Sequence, residues 1–411
     1  MTSIVSLPAF SLYGNERVPI EFPGGWDVRI HSYNGEKAPA LTRAQLQEAL
    51  SAPECARPVY EDARGCGDAV IIIDDFSRPT PAGVLVRLIV EQLEEAGVPR
   101  GKIRVIAATG MHRAMNREDF VRKLDEDLVS EFRTYSHNPF FNNVQVGISS
   151  YGIPIELNAE CVRADYKVGI GSIFAHPATG LGGAGKLILP GISSMETIRR
   201  FHLMASAVRW DTGLDSRKLT LEAAEMLGLN IKLDALLNGG GEIAKLYAGD
   251  CRRNVDNHIE EIKDFYTVQW PDPARLVIAN NYFKPTEPGL AFCYPEFWSL
   301  VEPGGDVVVA AHTPNGAAAH YLFGRWGDSG GGGLMYTGEN RLPDSVGRYF
   351  AFSRFIDGGT ALPYHFDSSD ERFHWAGDWR QIRADLGDSP RSVLVLPYAT
   401  VPFFRNARSD A

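Results

Sequence analysis

The sequence has few cysteines, and their spacing indicates no cross-linked scaffold. Five are present in 411 residues, and no two form a Cys-x-x-Cys pair. They are Cys55, Cys66, Cys161, Cys251 and Cys293. An odd number of scattered cysteines is typical neither of a disulfide framework nor of a zinc ribbon. We therefore expect free thiols in a reducing compartment.

Long apolar stretches and clusters of basic residues are also missing. No segment approaches the roughly 18 apolar residues of a membrane span, and residues 1–22 lack the features of a signal peptide. The formal net charge is −10, and no run of Lys and Arg occurs. A nucleic-acid binder needs a basic surface that displaces counterions from phosphates. These absences predict a cytoplasmic protein that binds neither nucleic acid nor membranes.

The chain has no internal repeat, and its apolar runs alternate with amphipathic, helix-like segments instead. Residues 69–75, 102–110 and 164–172 form continuous apolar runs, and a helix-like segment covers 81–97. Unbroken apolar strands are typical of a parallel sheet covered by helices on both faces. The pattern predicts an α/β fold of two domains with largely parallel sheets.

Two further strand-like runs follow the proline-containing stretch "QWPDP", which favours a domain boundary near residue 270. We expect an N-terminal α/β domain over 1–269 and a C-terminal α/β domain over 270–411. The final strand, in "RSVLVLPYATV", could belong to either domain.

Polar side chains follow the first predicted strand, where ligands collect in open α/β sheets. Asp75 ends this strand, and Arg78 stands beside the start of the next helix, where a phosphate would be stabilised. Thr80 is expected to cap that helix. An ordinary loop with a surface Arg–Asp pair explains this junction equally simply.

The second junction places a histidine on an exposed turn. The strand ends in Thr109 and Gly110, and His112 follows. A histidine there can reach a ligand and titrate near neutrality, which suits a general base. The alternative is a surface histidine without a catalytic role.

Residues 171–191 carry a lysine in a glycine-rich segment almost free of charge. Gly182 and Gly183 let the backbone approach a ligand closely, and Lys186 follows. The segment is not a Walker A loop, because Leu187 stands where Ser or Thr is required. The apolar residues after the lysine predict a partly desolvated amine suited to covalent chemistry. A surface loop with a solvated lysine is the alternative.

A helix is expected over 193–206, with Ser193 and Glu196 at capping-box spacing and His202 on the helix. Four sequence blocks occur once each along the chain, in the order "DDFSRPTP", "ATGMHR", "HPATGLGGAGKLILPG" and "NNYFKP". Together they resemble the lactate racemase family that uses a nickel-pincer nucleotide. The resemblance runs through most of the chain.

The resemblance implies a role for each block. Lys186 would attach the pyridinium-based cofactor covalently, and His202 would ligate its nickel. His112 and His176 would form the catalytic acid/base pair. Cofactor contacts are implied for Asp75, Arg78, Thr109, Gly110, Gly182 and Gly183, and substrate contacts for Arg78, Lys284 and Tyr282. The resemblance thus implies that the N-terminal domain carries the cofactor, that the C-terminal domain binds substrate and that the active site lies in the cleft between the two α/β domains.

The implied reaction is racemisation or epimerisation of a 2-hydroxy acid at C2 through a 2-keto acid. The Cα–H is too weakly acidic for an imidazole, so hydride transfer to the cofactor accompanies removal of the hydroxyl proton by a base. Pro177 and Pro285 stand where the family commonly has other residues. They leave the substrate open between lactate and larger acids such as malate, an aryl-lactate or gluconate.

Two other classes of function stay open. His112, His176 and His202 could form a three-histidine zinc site for hydrolysis, or the chain could be a non-enzymatic nucleotide- or cofactor-binding protein. Expected partners are the substrate and the enzymes that make the cofactor, and the expected assembly is a monomer or small homo-oligomer. The glycine run 327–338 is expected either to cover the site or to be a plain surface loop.

Overall fold

The computed structural model describes residues 3–9, 12, 14, 16–204, 208–289, 291–314, 316, 318, 320–322, 341–355, 366 and 368–405. They divide into two compact units, each with its own sheet. The larger unit comprises residues 37–263 with 320–322. The smaller unit comprises the described residues of 3–36, 264–318 and 341–405.

The strands and helices are numbered in chain order. The strands are β1 (Ser3–Pro8), β2 (Arg17–Phe22), β3 (Asp27–Ile30), β4 (Ala69–Asp74), β5 (Ile103–Ala108), β6 (Arg133–Ser136), β7 (Asn143–Ile148), β8 (Pro154–Asn158), β9 (Tyr166–Ser172), β10 (Ala175–His176), β11 (Gly180–Leu181), β12 (Ile231–Leu237), β13 (Ile243–Gly249), β14 (Thr267–Gln269), β15 (Ala274–Asn280), β16 (Val301–Ala310), β17 (Val346–Phe352), β18 (Phe373–Ala376), β19 (Ser392–Leu396) and β20 (Phe403–Arg405). The helices are α1 (Arg43–Ser51), α2 (Val59–Asp62), α3 (Ala82–Glu95), α4 (Arg117–Leu124), α5 (Glu126–Glu131), α6 (Ala159–Arg163), α7 (Met195–His202), α8 (Asp215–Leu227), α9 (Arg253–Asp256), α10 (Ile259–Phe265), α11 (Pro295–Trp298) and α12 (Trp379–Leu386).

The larger unit is built around a six-stranded sheet in the order β13-β12-β9-β4-β5-β6. Its neighbouring strands are parallel, except that β12 and β13 are antiparallel. Both β4 and β9 are buried along their whole length, which their apolar sequences predict. The strand order reverses between β4 and β9, and the carboxyl ends of the strands at such a reversal are where α/β sheets bind ligands.

The smaller unit contains a fully parallel sheet in the order β18-β17-β16-β15-β19-β3. The strand predicted in "RSVLVLPYATV" is β19, and it lies in this sheet between β15 and β3. The prediction of an α/β fold with largely parallel sheets is confirmed. Among the described residues, none of the helices has the length and apolar character needed to cross a membrane.

The two units differ from the predicted domains over 1–269 and 270–411. Residues 3–36 belong to the smaller unit, because β3 pairs with β19 and the hairpin β1–β2 packs its apolar face into that unit's core. The change of unit falls at residue 264 rather than 270, and residues 320–322 return to the larger unit. The predicted glycine loop 327–338 lies outside the described residues.

The start of α3 differs from the prediction that Thr80 caps it. Pro81 is the N-cap residue, and no side chain caps this helix. The Thr80 hydroxyl instead bonds the Asp74 carboxylate and lies 2.6 Å from the Ser172 hydroxyl. Thr80 therefore ties β4 to β9 at their carboxyl ends.

The start of α7 lies one residue later than the capping-box spacing predicts. Ser194 is the N-cap, and its hydroxyl accepts the Thr197 N–H. Ser193 donates its hydroxyl to the Ile188 carbonyl at 2.9 Å. Glu196 forms ion pairs along the helix with Arg199 and Arg200.

Candidate active site

A histidine and an aspartate meet where β4 and β5 end. His112 follows β5, and its Nδ1 lies 2.7 Å from Oδ2 of Asp75, which follows β4. The His112 side chain is 14% exposed and that of Asp75 is 3% exposed, so the bond is largely shielded from water. An ionised carboxylate accepts the Nδ1 proton, which leaves Nε2 as the nitrogen that takes up a proton.

The Asp75 carboxylate is held ionised by its neighbours. Burial alone would raise its pKa, but attraction to His112 and Arg78 and hydrogen bonds from His112 and Ser77 outweigh burial. Its pKa therefore lies well below the ordinary range. Ser77 donates its backbone N–H at 3.0 Å and its hydroxyl at 2.5 Å to Oδ1. The half-buried Arg78 donates to the Ser77 hydroxyl at 2.8 Å.

His202 lies in the last turn of α7, close enough to His112 and Lys186 to be affected by their charges. Removal of the ring from water lowers its pKa to about 4, and repulsion from the two cationic groups adds to the shift. The hydrogen bond between Nδ1 and the Ile198 carbonyl, at 2.9 Å, opposes the shift. The ring is therefore neutral at pH 7, with its lone pair on Nε2, which is the form that binds a metal.

Lys186 lies in a single turn of 3-10 helix that begins after Gly183. Gly183 has a φ of 75°, and a Cβ there would lie 2.8 Å from Oδ1 of Asp234. A Cβ on Gly185 would lie 2.2 Å from the Thr220 carbonyl oxygen. In the structure, Gly183 and Gly185 are required because a side chain at either position would clash with neighbouring protein atoms. The sequence instead favours close approach of this glycine-rich backbone to a ligand.

One buried ion pair lies at the carboxyl end of β4 and another lies within β12. The Lys123 ammonium is 2.5 Å from Oδ1 of Asp74, and its side chain is fully buried. The Lys232 ammonium is 2.6 Å from Oδ1 of Asp234, and both side chains are fully buried. Asp234 also accepts the backbone N–H of Ala184 at 3.2 Å. The second pair therefore supports the turn that carries Lys186.

His176 ends β10 in the short hairpin that precedes this turn. Its side chain is half-buried, and its Nδ1 accepts the Ala178 N–H at 3.1 Å. When the ring is neutral, its proton is on Nε2. His112 and His176 thus carry opposite tautomers, one with a proton-accepting Nε2 and one with a proton-donating Nε2.

His320 also contacts His112 and His202, although no pattern in the sequence predicts this. Its ring centroid lies 5.3 Å from that of His112 and 5.6 Å from that of His202, edge to face in both contacts. Loss of water around the ring lowers its pKa well below the usual value, and repulsion from His112, His202 and Lys186 adds to this. No strand or glycine pattern marks its position, and only its residue type could have drawn attention to it.

Three residues implied to contact the cofactor are engaged with the protein backbone. Thr109 is buried and donates its hydroxyl to the His137 carbonyl at 3.1 Å. Gly110 donates its N–H to the Gly191 carbonyl at 2.9 Å, and Gly182 donates its N–H to Phe174 at 2.6 Å. These bonds fix the loops after β5 and β9.

Lys284 and Tyr282, the implied substrate-binding pair, belong to the smaller unit. Both follow β15, and Lys284 is 1% exposed. Burial, with repulsion from Tyr398, raises the pKa of Tyr282 to about 12, while Arg17 opposes the shift. The hydroxyl of Tyr282 is therefore protonated at neutral pH.

In the described part of the chain, no group of three or more His, Cys, Asp or Glu side chains is placed to ligate a metal ion. His112, His176 and His202 do not form such a group. The three-histidine zinc site of the alternative interpretation thus lacks its ligand set in this conformation.

Comparison with known proteins gives consistent matches. Residues 13–213 match the model of the lactate racemase N-terminal domain. The chain is 24% identical over 333 residues to the lactate racemase of Thermoanaerobacterium thermosaccharolyticum, covering 76% of each protein. It is 31% identical over 159 residues to the lactate racemase of Lactiplantibacillus plantarum, covering 38% of this chain and 37% of that protein.

Solved structures share the fold. The lactate racemase apoprotein of T. thermosaccharolyticum matches with a TM-score of 0.71 at 20% identity, over 98% of this chain and 100% of that one. A Thermotoga maritima protein matches with a TM-score of 0.64 at 15% identity, over 89% and 99% of the two chains. The sequence relatives confirm the prediction of an enzyme of the isomerase class, a racemase. Residues 13–213 of the chain thus carry a match to the lactate racemase N-terminal domain, and the chain is similar to lactate racemases over most of its length.

Proposed function

We propose that this protein racemises or epimerises a 2-hydroxy acid at C2, using a nickel-pincer nucleotide attached to Lys186. The observation that carries the proposal is the pairing of His112 with Asp75 at the carboxyl ends of β4 and β5, with His202 near enough to be affected by the charges of His112 and Lys186. A base, a neutral imidazole ligand and an amine are three of the groups that this chemistry requires of the protein.

The residues present fit the proposed cofactor. His202 is a neutral imidazole whose Nδ1 proton is bonded to a backbone carbonyl, so Nε2 has the lone pair that nickel requires. The positive charge of Lys186 acts on the same ring, which places the amine within electrostatic reach of it. When bound, the cofactor would accept the hydride from Cα and return it.

The protein's own part of the reaction is proton transfer. His112, oriented by the ionised Asp75, accepts the substrate hydroxyl proton at Nε2. His176 would return a proton to the keto oxygen from Nε2 as the imidazolium, because a neutral ring that gave up its Nε2 proton would become an imidazolate. In the reverse direction the two histidines exchange roles. A two-base racemase starts each direction with one of its histidines neutral and the other protonated.

The proposal extends to the substrate. Both curated relatives are named lactate racemases, which makes lactate the first acid to test. The proline substitutions at Pro177 and Pro285 favour larger acids, such as malate, an aryl-lactate or gluconate, as further candidates. Substrate contacts by Arg78, Lys284 and Tyr282 belong to the same proposal.

The test is co-expression with the enzymes that make the cofactor, followed by intact mass, metal analysis and chiral chromatography of 2-hydroxy acids. We expect an adduct on the wild-type chain, equimolar nickel and turnover in both directions. Lys186→Arg keeps the positive charge but removes the amine nucleophile, so it should lose the adduct and the turnover.

Two outcomes would contradict the proposal and identify its replacement. Zinc without an adduct, together with hydrolytic activity, would favour the zinc hydrolase. An adduct without turnover of any 2-hydroxy acid would favour a cofactor-binding protein. An adduct that persists in Lys186→Arg would refute the attachment site.

A further inference from the structure

Three imidazole rings meet within the larger unit, and His320 is the one between the other two. Its ring presents an edge contact to His112, at an interplanar angle of 74°, and another to His202, at 78°. His112 is the proposed base and His202 the proposed nickel ligand. A single side chain therefore touches both groups whose orientation the reaction depends on.

The backbone around His320 is anchored independently of its ring. His320 pairs with His112 in an antiparallel bridge, and Tyr321 donates its N–H to the Met111 carbonyl at 2.9 Å. Leu322 is fully buried against Met111 and Ile198. Removal of the His320 ring should therefore leave the segment in place and change only what the ring contacts.

The tautomer of His320 is also fixed by this backbone. Its Nδ1 accepts the Leu322 N–H at 3.3 Å, so the neutral ring has its proton on Nε2. His112 and His202 both donate from Nδ1, to Asp75 and to the Ile198 carbonyl. Each of the three rings is thus held at Nδ1 by a group outside the cluster, and they meet through their edges and faces.

We infer that His320 is a positioning residue of the active site, whose ring packs between His112 and His202 and fixes their relative orientation. The inference rests on the proposed function, since it assigns His320 to the same reaction. It makes no use of proton transfer by His320. Side chains that orient catalytic groups act through rigid packing, and a misplacement of about 1 Å can cost about 10²-fold in rate.

The experiment compares three variants that separate ring shape from hydrogen bonding. His320→Ala removes both, His320→Phe keeps a flat ring without nitrogen, and His320→Gln keeps an N–H donor without a ring. Cofactor-loaded enzyme is assayed in both directions. Positioning by packing predicts that kcat falls about tenfold or more in His320→Ala with KM nearly unchanged, and that His320→Phe recovers most of the loss.

A second readout needs no activity. In the apoprotein labelled with 13C-histidine, His320→Ala should shift the ring resonances of His112 and His202, because an edge-to-face ring contact is lost. His258→Ala is the matched control, since His258 lies in the same unit but pairs with Glu54 at 2.8 Å. We expect that control to leave the His112 and His202 resonances and kcat unchanged.

The outcomes separate this inference from the proposed function. Wild-type protein without adduct and turnover contradicts the proposed function, while the resonance shifts still test the ring packing. Normal kcat in a loaded His320→Ala enzyme would overturn the inference alone. Rescue by His320→Gln but not by His320→Phe would also overturn it, because the N–H rather than the ring would then be the required group.

Discussion

His137 shows how a buried histidine makes the larger unit sensitive to acid. It is 3% exposed, its Nε2 lies 2.8 Å from the Ser193 carbonyl, and its Nδ1 accepts the Asn158 amide N–H at 3.2 Å. Burial lowers its pKa to about 4, although the hydrogen bond to Ser193 opposes the shift. The folded protein therefore keeps this ring neutral over a pH range in which the unfolded chain protonates it.

Stability should consequently fall as the pH drops from 6.5 towards 4, since the unfolded state binds the additional proton there. Because of His137, the free energy of unfolding should be about 2 kcal/mol lower at pH 5 than at pH 7. The measurement is urea unfolding of wild type and His137→Gln at both values. Gln can repeat both hydrogen bonds but does not titrate, so the variant should lose less stability in acid. Parallel losses in the two proteins would contradict the assignment.

For single residues, the sequence predicts a role in the site only where the residue lies in a recognisable local pattern. Asp75 and His112 follow apolar strands directly, and both lie at the carboxyl ends of β4 and β5 as expected. His320 carries no such pattern, because its contacts come from residues far away in the chain. The sequence around Thr80 predicts that this residue caps α3, whereas in the structure its hydroxyl donates to Asp74 beside β9.

Among the elements, the turn that carries Lys186 depends on a buried ion pair. Asp234 on β12 accepts the Ala184 N–H and pairs with Lys232, and both charged side chains are fully buried. Asn254 donates to the Lys232 carbonyl at 2.7 Å from the adjoining α9. The position of the turn is therefore set by a polar network beneath it.

We predict that Asp234→Asn destabilises the larger unit by about 3 to 5 kcal/mol, because it leaves the Lys232 ammonium buried without its anion. It should also slow adduct formation on Lys186, since the turn loses a charged acceptor. Urea unfolding and a time course of intact mass measure the two effects.

The matched control is the double variant Lys232→Met/Asp234→Asn, which removes both charges together. Its loss of stability should be smaller than that of Asp234→Asn alone, because no unpaired ion remains. A double variant that is as unstable as the sum of the single changes would contradict the coupling of the pair.

Element boundaries were harder to predict than element types. After β5 the chain forms two consecutive helices, α4 and α5, which are separated at Asp125 by its positive φ of 78°. The start of α7 depends on which of two adjacent serines faces the helix, Ser193 or Ser194. Both serines fit the sequence pattern, and tertiary contacts decide between them: Ser193 bonds Ile188 and Ser194 caps the helix.

On the scale of the whole molecule, the two units do not follow the order of the chain, as the domain prediction assumed. Residues 3–36 precede the first strand of the larger unit in sequence, yet β1, β2 and β3 join the smaller one. The alternation of apolar and polar residues in β2 predicts a strand, but no local feature of the sequence indicates which sheet it joins. The apolar face that they cover, which includes Ile278 and Val395, becomes evident only once both ends of the chain are folded.

Phe22 offers a test of this assignment. It is fully buried at the end of β2, with its ring centroid 5.9 Å from that of Trp26 and 5.5 Å from that of Trp379. Phe22→Ala leaves a cavity in that core and should cost about 3 to 5 kcal/mol. Because the loss falls on the smaller unit, hydrogen exchange should accelerate in β15 and β19, while β4 and β9 keep their protection.

Ile72→Ala is the reciprocal variant, since Ile72 is fully buried on β4 in the core of the larger unit. It should open β4 and β9 and leave β15 and β19 protected. Together, the hydrogen-exchange patterns of the two variants show whether residues 3–36 fold with the smaller unit or with the larger unit that follows them in sequence. If Phe22→Ala reduced the protection of β4 and left β15 unaffected, residues 3–36 would instead belong to the larger unit.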